Sequence, residues 1–158
     1  MASVIFSGVM MSLRLKKRSE FLGEILLFVS QVSMEIEFAS LPVPEILKKI
    51  KVGECCKNLD FIALCLENMQ SGEDFFYSWK KGVNESRLPM KKEERDKLKN
   101  LGSMLGTSDA QGQSALLSLY KSYFSAFYDK AVSDVEKYGK MCLTLSVVLG
   151  TGIFILII

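Results

Sequence analysis

The last part of the chain, residues 141–158, constrains the fold most, because it reads MCLTLSVVLGTGIFILII and carries no charged side chain. A helix of this length rises about 27 Å, which nearly matches a hydrocarbon core of about 30 Å. So short a protein has little else to cover such a helix on all sides, which disfavours a buried core helix. The sequence therefore predicts a transmembrane anchor, and its marker residues are Met141, Leu145, Val148, Ile153 and Ile158.

The residues flanking and within this segment fit a membrane helix. Lys137, Tyr138 and Lys140 precede it, and such long or amphipathic side chains are comfortable at the rim of a bilayer. Ser146 and Gly150 are four positions apart, a spacing that lets a second membrane helix approach closely, although small residues facing lipid are an equal alternative.

A long helix is predicted to lead into the anchor. Gly106 can end the preceding helix in a left-handed conformation, and Ser108 with Gln111 fits a capping box that starts the next one. An apolar face then recurs at helical spacing through Leu116, Tyr120, Tyr123, Phe127, Ala131, Val135 and Tyr138. We expect one unbroken helix from Ser108 into the membrane, with Tyr120, Tyr123 and Phe127 as candidates for a face that meets a partner protein.

Glycine and proline divide the rest of the chain into shorter helices. The predicted ranges are 19–40, 44–50, 59–72, 75–87 and 90–104, and the gaps between them are short. Their predicted buried residues are Leu22, Ile25, Leu26, Val29, Val32 and Ile36; Leu59, Ile62, Leu66 and Met69; Phe75, Phe76, Trp79 and Val83; and Leu98, Leu101 and Leu105. The fold class is therefore predicted to be all-α, an antiparallel bundle of about six helices.

The N-terminal segment, residues 1–13, is apolar but reaches only about 20 Å as a helix. The basic residues of 14–18 follow it, whereas a secretory signal carries them in front. It is either a shortened first membrane span, which is favoured, or a strip lying in the interface. The positive-inside rule then makes residues 14–140 a cytoplasmic helical bundle, between this segment and the anchor at 141–158.

Several function classes are disfavoured by composition. The chain has no histidine, the usual acid-base residue at neutral pH, and we expect no catalytic residues, no cofactor and no metal. Cys55, Cys56, Cys65 and Cys142 lack zinc-ligand spacing, and Cys65 lies in an apolar run as a small filler. The net charge of +2 does not suggest a nucleic-acid binder, and residues 80–99, including Glu94, are interpreted as a solvated charged face.

Several short motifs in order resemble the stage III sporulation protein AB family of endospore-forming Firmicutes. The C-terminal half contributes Gly102, Leu105, Gly106, Ser108, Asp109 and Gln113, then Lys137 with Tyr138 before the terminal apolar helix. Upstream, Met34-Glu35-Ile36, Leu41-Pro42-Val43-Pro44-Glu45 and Phe76 with Trp79 match further family positions. The likeness covers residues 14–158.

This resemblance implies a non-enzymatic subunit of the channel between the mother cell and the forespore, similar to the helical domain of F-type inner-membrane proteins of type II secretion. The implied partners are other membrane subunits of the channel and a cytoplasmic ATPase. The apolar segments predict contact with the lipid bilayer, the charge balance predicts no nucleic acid, and a homo-oligomer is left open by the sequence. The implied location is the mother cell membrane facing the forespore. The alternatives are a tail-anchored adaptor or regulator that pairs with a partner helix, and a membrane-surface enzyme.

Overall fold

The computed structural model describes residues 2–39, 41–53, 56, 58–106, 110–139, 141 and 144. Within these residues the chain forms six α-helices and no strand, which confirms the predicted all-α bundle. The helices are α1 (Ala2–Ala39), α2 (Val43–Val52), α3 (Asp60–Gln70), α4 (Phe75–Glu85), α5 (Lys92–Met104) and α6 (Ala110–Asp134), and a π-helical turn (Val135–Gly139) follows.

The two longest helices, α1 and α6, run antiparallel along each other. Arg18 on α1 meets Asp134 at the end of α6, Gly23 lies against Tyr128, and Glu37 accepts a hydrogen bond from Ser114. Since the residue numbers rise along one helix as they fall along the other, the end of α1 and the start of α6 share one end of the bundle. The first turns of α1 and the π-helical turn share the other.

The centre of the core is aromatic. Phe61 of α3 packs edge-on against Phe28 of α1, with ring centroids 5.7 Å apart, and against Trp79 of α4 at 5.3 Å. The indole Nε1 of Trp79 donates a hydrogen bond to the Leu98 carbonyl of α5 at 2.8 Å, so its one polar group is satisfied although the ring is fully buried. Through these contacts α1, α3, α4 and α5 meet around the ring of Trp79, which is therefore a core residue.

The predicted buried faces of the first five helices are largely confirmed. Leu22, Ile62, Val83 and Leu101 are among the buried residues. Phe76 differs, since 42% of its surface is exposed while the adjacent ring of Phe75 packs against the core. Charged Glu94, expected on a solvated face, is buried, and that part of the prediction is wrong.

The predicted face of α6 is wrong by about one residue. The buried side chains are Leu117, Tyr120, Phe124 and Ala131, whereas Leu116 is only partly buried and Tyr123 is exposed. Both sets have helical spacing and share Tyr120 and Ala131, so periodicity alone does not separate them. The packing of α6 against α1 decides which of the two sets is buried.

Two helix limits also differ from expectation. The first helix begins at Ala2, and the predicted start at Ser19 is wrong, since no glycine or proline interrupts residues 13–22. At the other end, α-helical geometry gives way to π-helical geometry from Val135 to Gly139. The predicted unbroken α-helix is therefore interrupted, and such π-helical turns are frequent at functional sites.

None of the helices in the described part of the chain is long and apolar enough to cross a membrane. Of the residues assigned to the anchor, Met141 is described and is half exposed at a helical position. Leu145, Val148, Ile153 and Ile158 lie outside the described residues, as do Ser146 and Gly150.

Candidate functional site

An apolar groove lies at the end of the bundle where α1 stops and α6 begins. It has a volume of about 460 Å³ and is open to solvent along its length. Four separate parts of the chain line it, and each contains a residue of the motifs that carry the family resemblance. The lining residues are Ile36, Leu41, Pro42, Val43, Pro44, Phe75, Phe76, Leu105, Gly106 and Gln113.

The segment Leu41 to Pro44 forms one wall because prolines fix its course into α2. Pro42 occupies the cap position in an extended conformation, and its carbonyl accepts the first helical hydrogen bonds from Glu45 at 2.9 Å and Ile46 at 3.2 Å. Pro44 stands in the first turn, where no hydrogen-bond donor is needed. The wall is therefore held by local geometry, and its apolar side chains are free to face the groove.

Two motif glycines are required for different reasons. Gly106 has φ +82°, as the predicted left-handed helix end requires, and it faces Val43 across the groove wall. A Cβ added at Gly102 would lie 2.0 Å from Cδ1 of Trp79, so the glycine lets the indole ring pack directly on the backbone of α5. Leu105, between them, is buried.

Phe75 and Phe76 form another wall at the start of α4. The carboxylate of Asp74 caps this helix by accepting a hydrogen bond from the Phe76 amide at 3.0 Å. The ring centroids of the two phenylalanines are 5.6 Å apart. Phe75 contacts the core and Phe76 extends toward solvent, so the groove has an exposed aromatic rim.

The chain segments that line the groove carry negative charge. Residues 36–45 and 73–76 contain Glu37, Glu45, Glu73 and Asp74 and no lysine or arginine. All four side chains are exposed. Lys49, four residues after Glu45, forms an ion pair with Glu35 at 2.6 Å. The groove itself is lined by uncharged residues, and Glu45, Glu73 and Asp74 lie close to lining residues in the chain. Glu37 lines a separate cavity between α1 and α6, beside Ser114 and Lys121.

A charged cluster lies at the opposite end of the bundle, near the π-helical turn. Nη2 of Arg18 is 2.5 Å from Oε1 of buried Glu94, and Nη1 is 3.2 Å from Oδ2 of Asp134. Lys91 lies 3.7 Å from the same Asp134 oxygen. Arg18 itself is buried. The cluster joins α1, α5 and the end of α6.

Sequence reasoning missed this cluster, although a signal for Glu94 was present. Glu94, Leu98, Leu101 and Leu105 are spaced by four, three and four residues, so the carboxylate stands on the same face as three buried leucines. Its Oε2 also accepts a hydrogen bond from the Lys91 amide at 2.7 Å, which caps α5.

The candidates for a partner face are divided by the structure. Tyr120 is buried, with 6% of its surface exposed, and Phe127 is partly buried against the core. Tyr123 is exposed, and the Lys97 ammonium lies 3.9 Å from its ring centroid. Their role in binding a partner stays a prediction.

The other predicted residues fall partly outside the described chain. Lys137 and Tyr138 are exposed on the π-helical turn, with the ammonium 5.6 Å from the ring centroid. Lys140, Ser108 and Asp109 lie outside the described residues. Gly102, Leu105, Gly106 and Gln113 gather at or beside the groove.

Two of the cysteines that the structure describes, Cys56 and Cys65, are buried. Burial raises the pKa of the Cys65 thiol to about 12, so it is protonated and a poor nucleophile at neutral pH. Among the described residues, no three His, Cys, Asp or Glu side chains are placed to hold a metal ion. The groove offers an apolar binding surface.

Comparison with known protein families identifies the family of the chain. The family model of stage III sporulation protein AB matches residues 1–158, the whole chain. The chain belongs to the stage III sporulation protein AB family. The recognition made from sequence is therefore confirmed. No curated protein and no solved structure matches the chain.

Proposed function

We propose that this stage III sporulation protein is a non-enzymatic, membrane-anchored structural subunit of the channel between the mother cell and the forespore. Its helical body faces the mother cell cytoplasm, and its partners are other membrane subunits of the channel and a cytoplasmic ATPase. The absence of histidine from the sequence supports a structural role over acid-base catalysis.

The observation that carries this proposal is the antiparallel pairing of α1 with α6. Asp134 lies beside Arg18, and α1 continues for residues 2–17, about 24 Å, beyond that level. The apolar residues 2–13 therefore lie at the same end of the bundle as the π-helical turn, which residues 141–158 follow in the sequence. This arrangement supports a body that stands on the bilayer with the apolar groove at its far end, about 27 Å beyond the level of Arg18.

Membrane extraction tests the anchor. The full chain is expected to resist alkaline carbonate, whereas a chain lacking residues 141–158 is expected in the soluble fraction. Val148→Arg is expected to weaken retention, because a cation at the bilayer centre costs about 3 kcal/mol, and Val148→Leu is its matched control. Retention of the truncated chain in carbonate-washed membranes would contradict the assignment.

The channel role is tested in sporulating cells. In one variant, residues 141–158 are replaced by an unrelated membrane helix, and this variant is expected to remain in the membrane. Any loss of assembly in this variant is then not caused by a loss of anchoring. Deletion of the gene is expected to block development after engulfment. Channel subunits are expected to co-purify with the full chain. Normal spores in the deletion strain would contradict it.

A further inference from the structure

We propose that the groove at the end of α1 binds a helical segment of a partner protein whose apolar side chains are flanked by lysine or arginine. The groove can take apolar anchors because Ile36, Val43 and Leu105 line its floor. Helix-in-groove binding of this kind uses apolar side chains spaced by three and four residues. The inference names the chemistry of a docking partner and so deepens the proposed structural role.

The exposed aromatic rim favours a peptide over a small molecule. Phe76 lines the groove and is 42% exposed. A small ligand in its site buries most of its own surface, which an open groove with a protruding ring does not provide. Large exposed apolar side chains beside a concave surface are instead typical of protein interaction sites.

Charge selects the partner. Exposed Glu45, Glu73 and Asp74 lie close to groove-lining residues in the chain, and segments 41–45 and 73–76 contain no lysine or arginine. Complementary charges at the edge of an interface raise the association rate and reject partners of the same sign. An acidic segment, or a second copy presenting this same acidic face, is disfavoured by this repulsion.

A pair of defined peptides tests the inference with the full chain in nanodiscs of uncharged lipid. One probe is an amphipathic helix of leucine and lysine about four turns long, and the other replaces every lysine with glutamate. Empty nanodiscs give the lipid background in a fluorescence anisotropy titration. We expect the lysine probe to bind at least about tenfold more tightly, with the difference shrinking at high salt.

Matched variants locate the binding. Phe76→Ala and Glu45→Lys are expected to weaken the lysine probe about tenfold. Tyr77→Ala removes an equally exposed aromatic ring that does not line the groove, and Glu67→Lys reverses an exposed charge on α3, so both are expected to bind as the parent does. All four residues are exposed, so these changes leave the core intact.

Three outcomes would overturn the inference. They are equal affinity for the two probes, equal effects of Phe76→Ala and Tyr77→Ala, and self-association that depends on Phe76, which would make a second copy the occupant. The result is independent of carbonate extraction, because the titration reads the groove and extraction reads the anchor.

Discussion

Arg18 and Glu94 are 76 residues apart in the chain, yet the guanidinium Nε lies 3.1 Å and Nη2 lies 2.5 Å from the same carboxylate oxygen. Both side chains are buried, and 1% of the glutamate surface is exposed. The pair fixes the middle of α1 against the start of α5. Because Arg18 also reaches Asp134, it ties both helices to the turn that leads toward the predicted anchor.

Removing one partner of this pair is expected to be costly. Arg18→Met should lower the free energy of unfolding by about 3–5 kcal/mol, because it leaves Glu94 buried without its counter-charge. Arg18→Met combined with Glu94→Leu should recover much of that loss, since no charge is then stranded. Chemical denaturation of the full chain in detergent, followed by circular dichroism, measures both. Lys16→Met, which removes an exposed pair with Glu20, should cost less than about 1 kcal/mol.

Gly102→Ala is expected to disturb the core through Trp79. The added Cβ would lie 2.0 Å from Cδ1 and 2.1 Å from Nε1, so the indole must move away from the Leu98 carbonyl. Overpacking of this kind costs about 1–3 kcal/mol. Trp79 is the one tryptophan of the chain, and its fluorescence should shift to longer wavelength.

Gly23→Ala is the matched control for this prediction, because Gly23 also stands inside a helix. Its added Cβ would meet Tyr128 at 3.4 Å, an ordinary contact. The gain in helix propensity should leave stability unchanged or raise it by up to about 1 kcal/mol. Equal loss of stability in the two variants would show that the Trp79 contact is not the cause.

The buried thiol of Cys65 predicts a loss of stability at alkaline pH. Burial raises its pKa from 9.0 to about 12, so the folded state favours the protonated thiol. This contribution is complete below pH 9.0 and is lost as the pH rises toward 12, because only the unfolded chain ionises in that window. Cys65→Ala should make the unfolding free energy less dependent on pH there, and iodoacetamide should not modify Cys65 in the folded chain at neutral pH.

Arg95 is expected to stabilise the C-terminal end of α4. Its guanidinium donates to the carbonyls of Val83, Asn84 at 3.1 Å and Ser86 at 3.4 Å, groups that a helix end leaves unpaired. Arg95→Met keeps the apolar stem but removes these donors, and should cost about 1.5–3 kcal/mol. Hydrogen exchange should be faster at the Ser86 amide, which bonds to Gly82. Lys92→Met, an exposed neighbour, should leave that exchange unchanged.

Local patterns in the sequence determined most of the helix limits and most of the core. The helix ends near residue 85, the start after Pro42 and the left-handed Gly106 follow from proline and glycine chemistry that acts within a few residues. Helical spacing likewise placed Leu22, Ile62 and Leu101 inside, because apolar residues at that spacing must share one covered face.

Only the tertiary structure decided which of two overlapping faces of α6 is covered, and that Arg18 and Glu94 meet. Spacing constrains one helix at a time, whereas a buried ion pair across 76 residues depends on how three helices pack. The groove has the same origin, because Leu41 to Pro44, Phe76 and Gln113 come together only when α1 and α6 pair antiparallel. The motifs can be read from the sequence, whereas the packing of the helices brings them together in one surface.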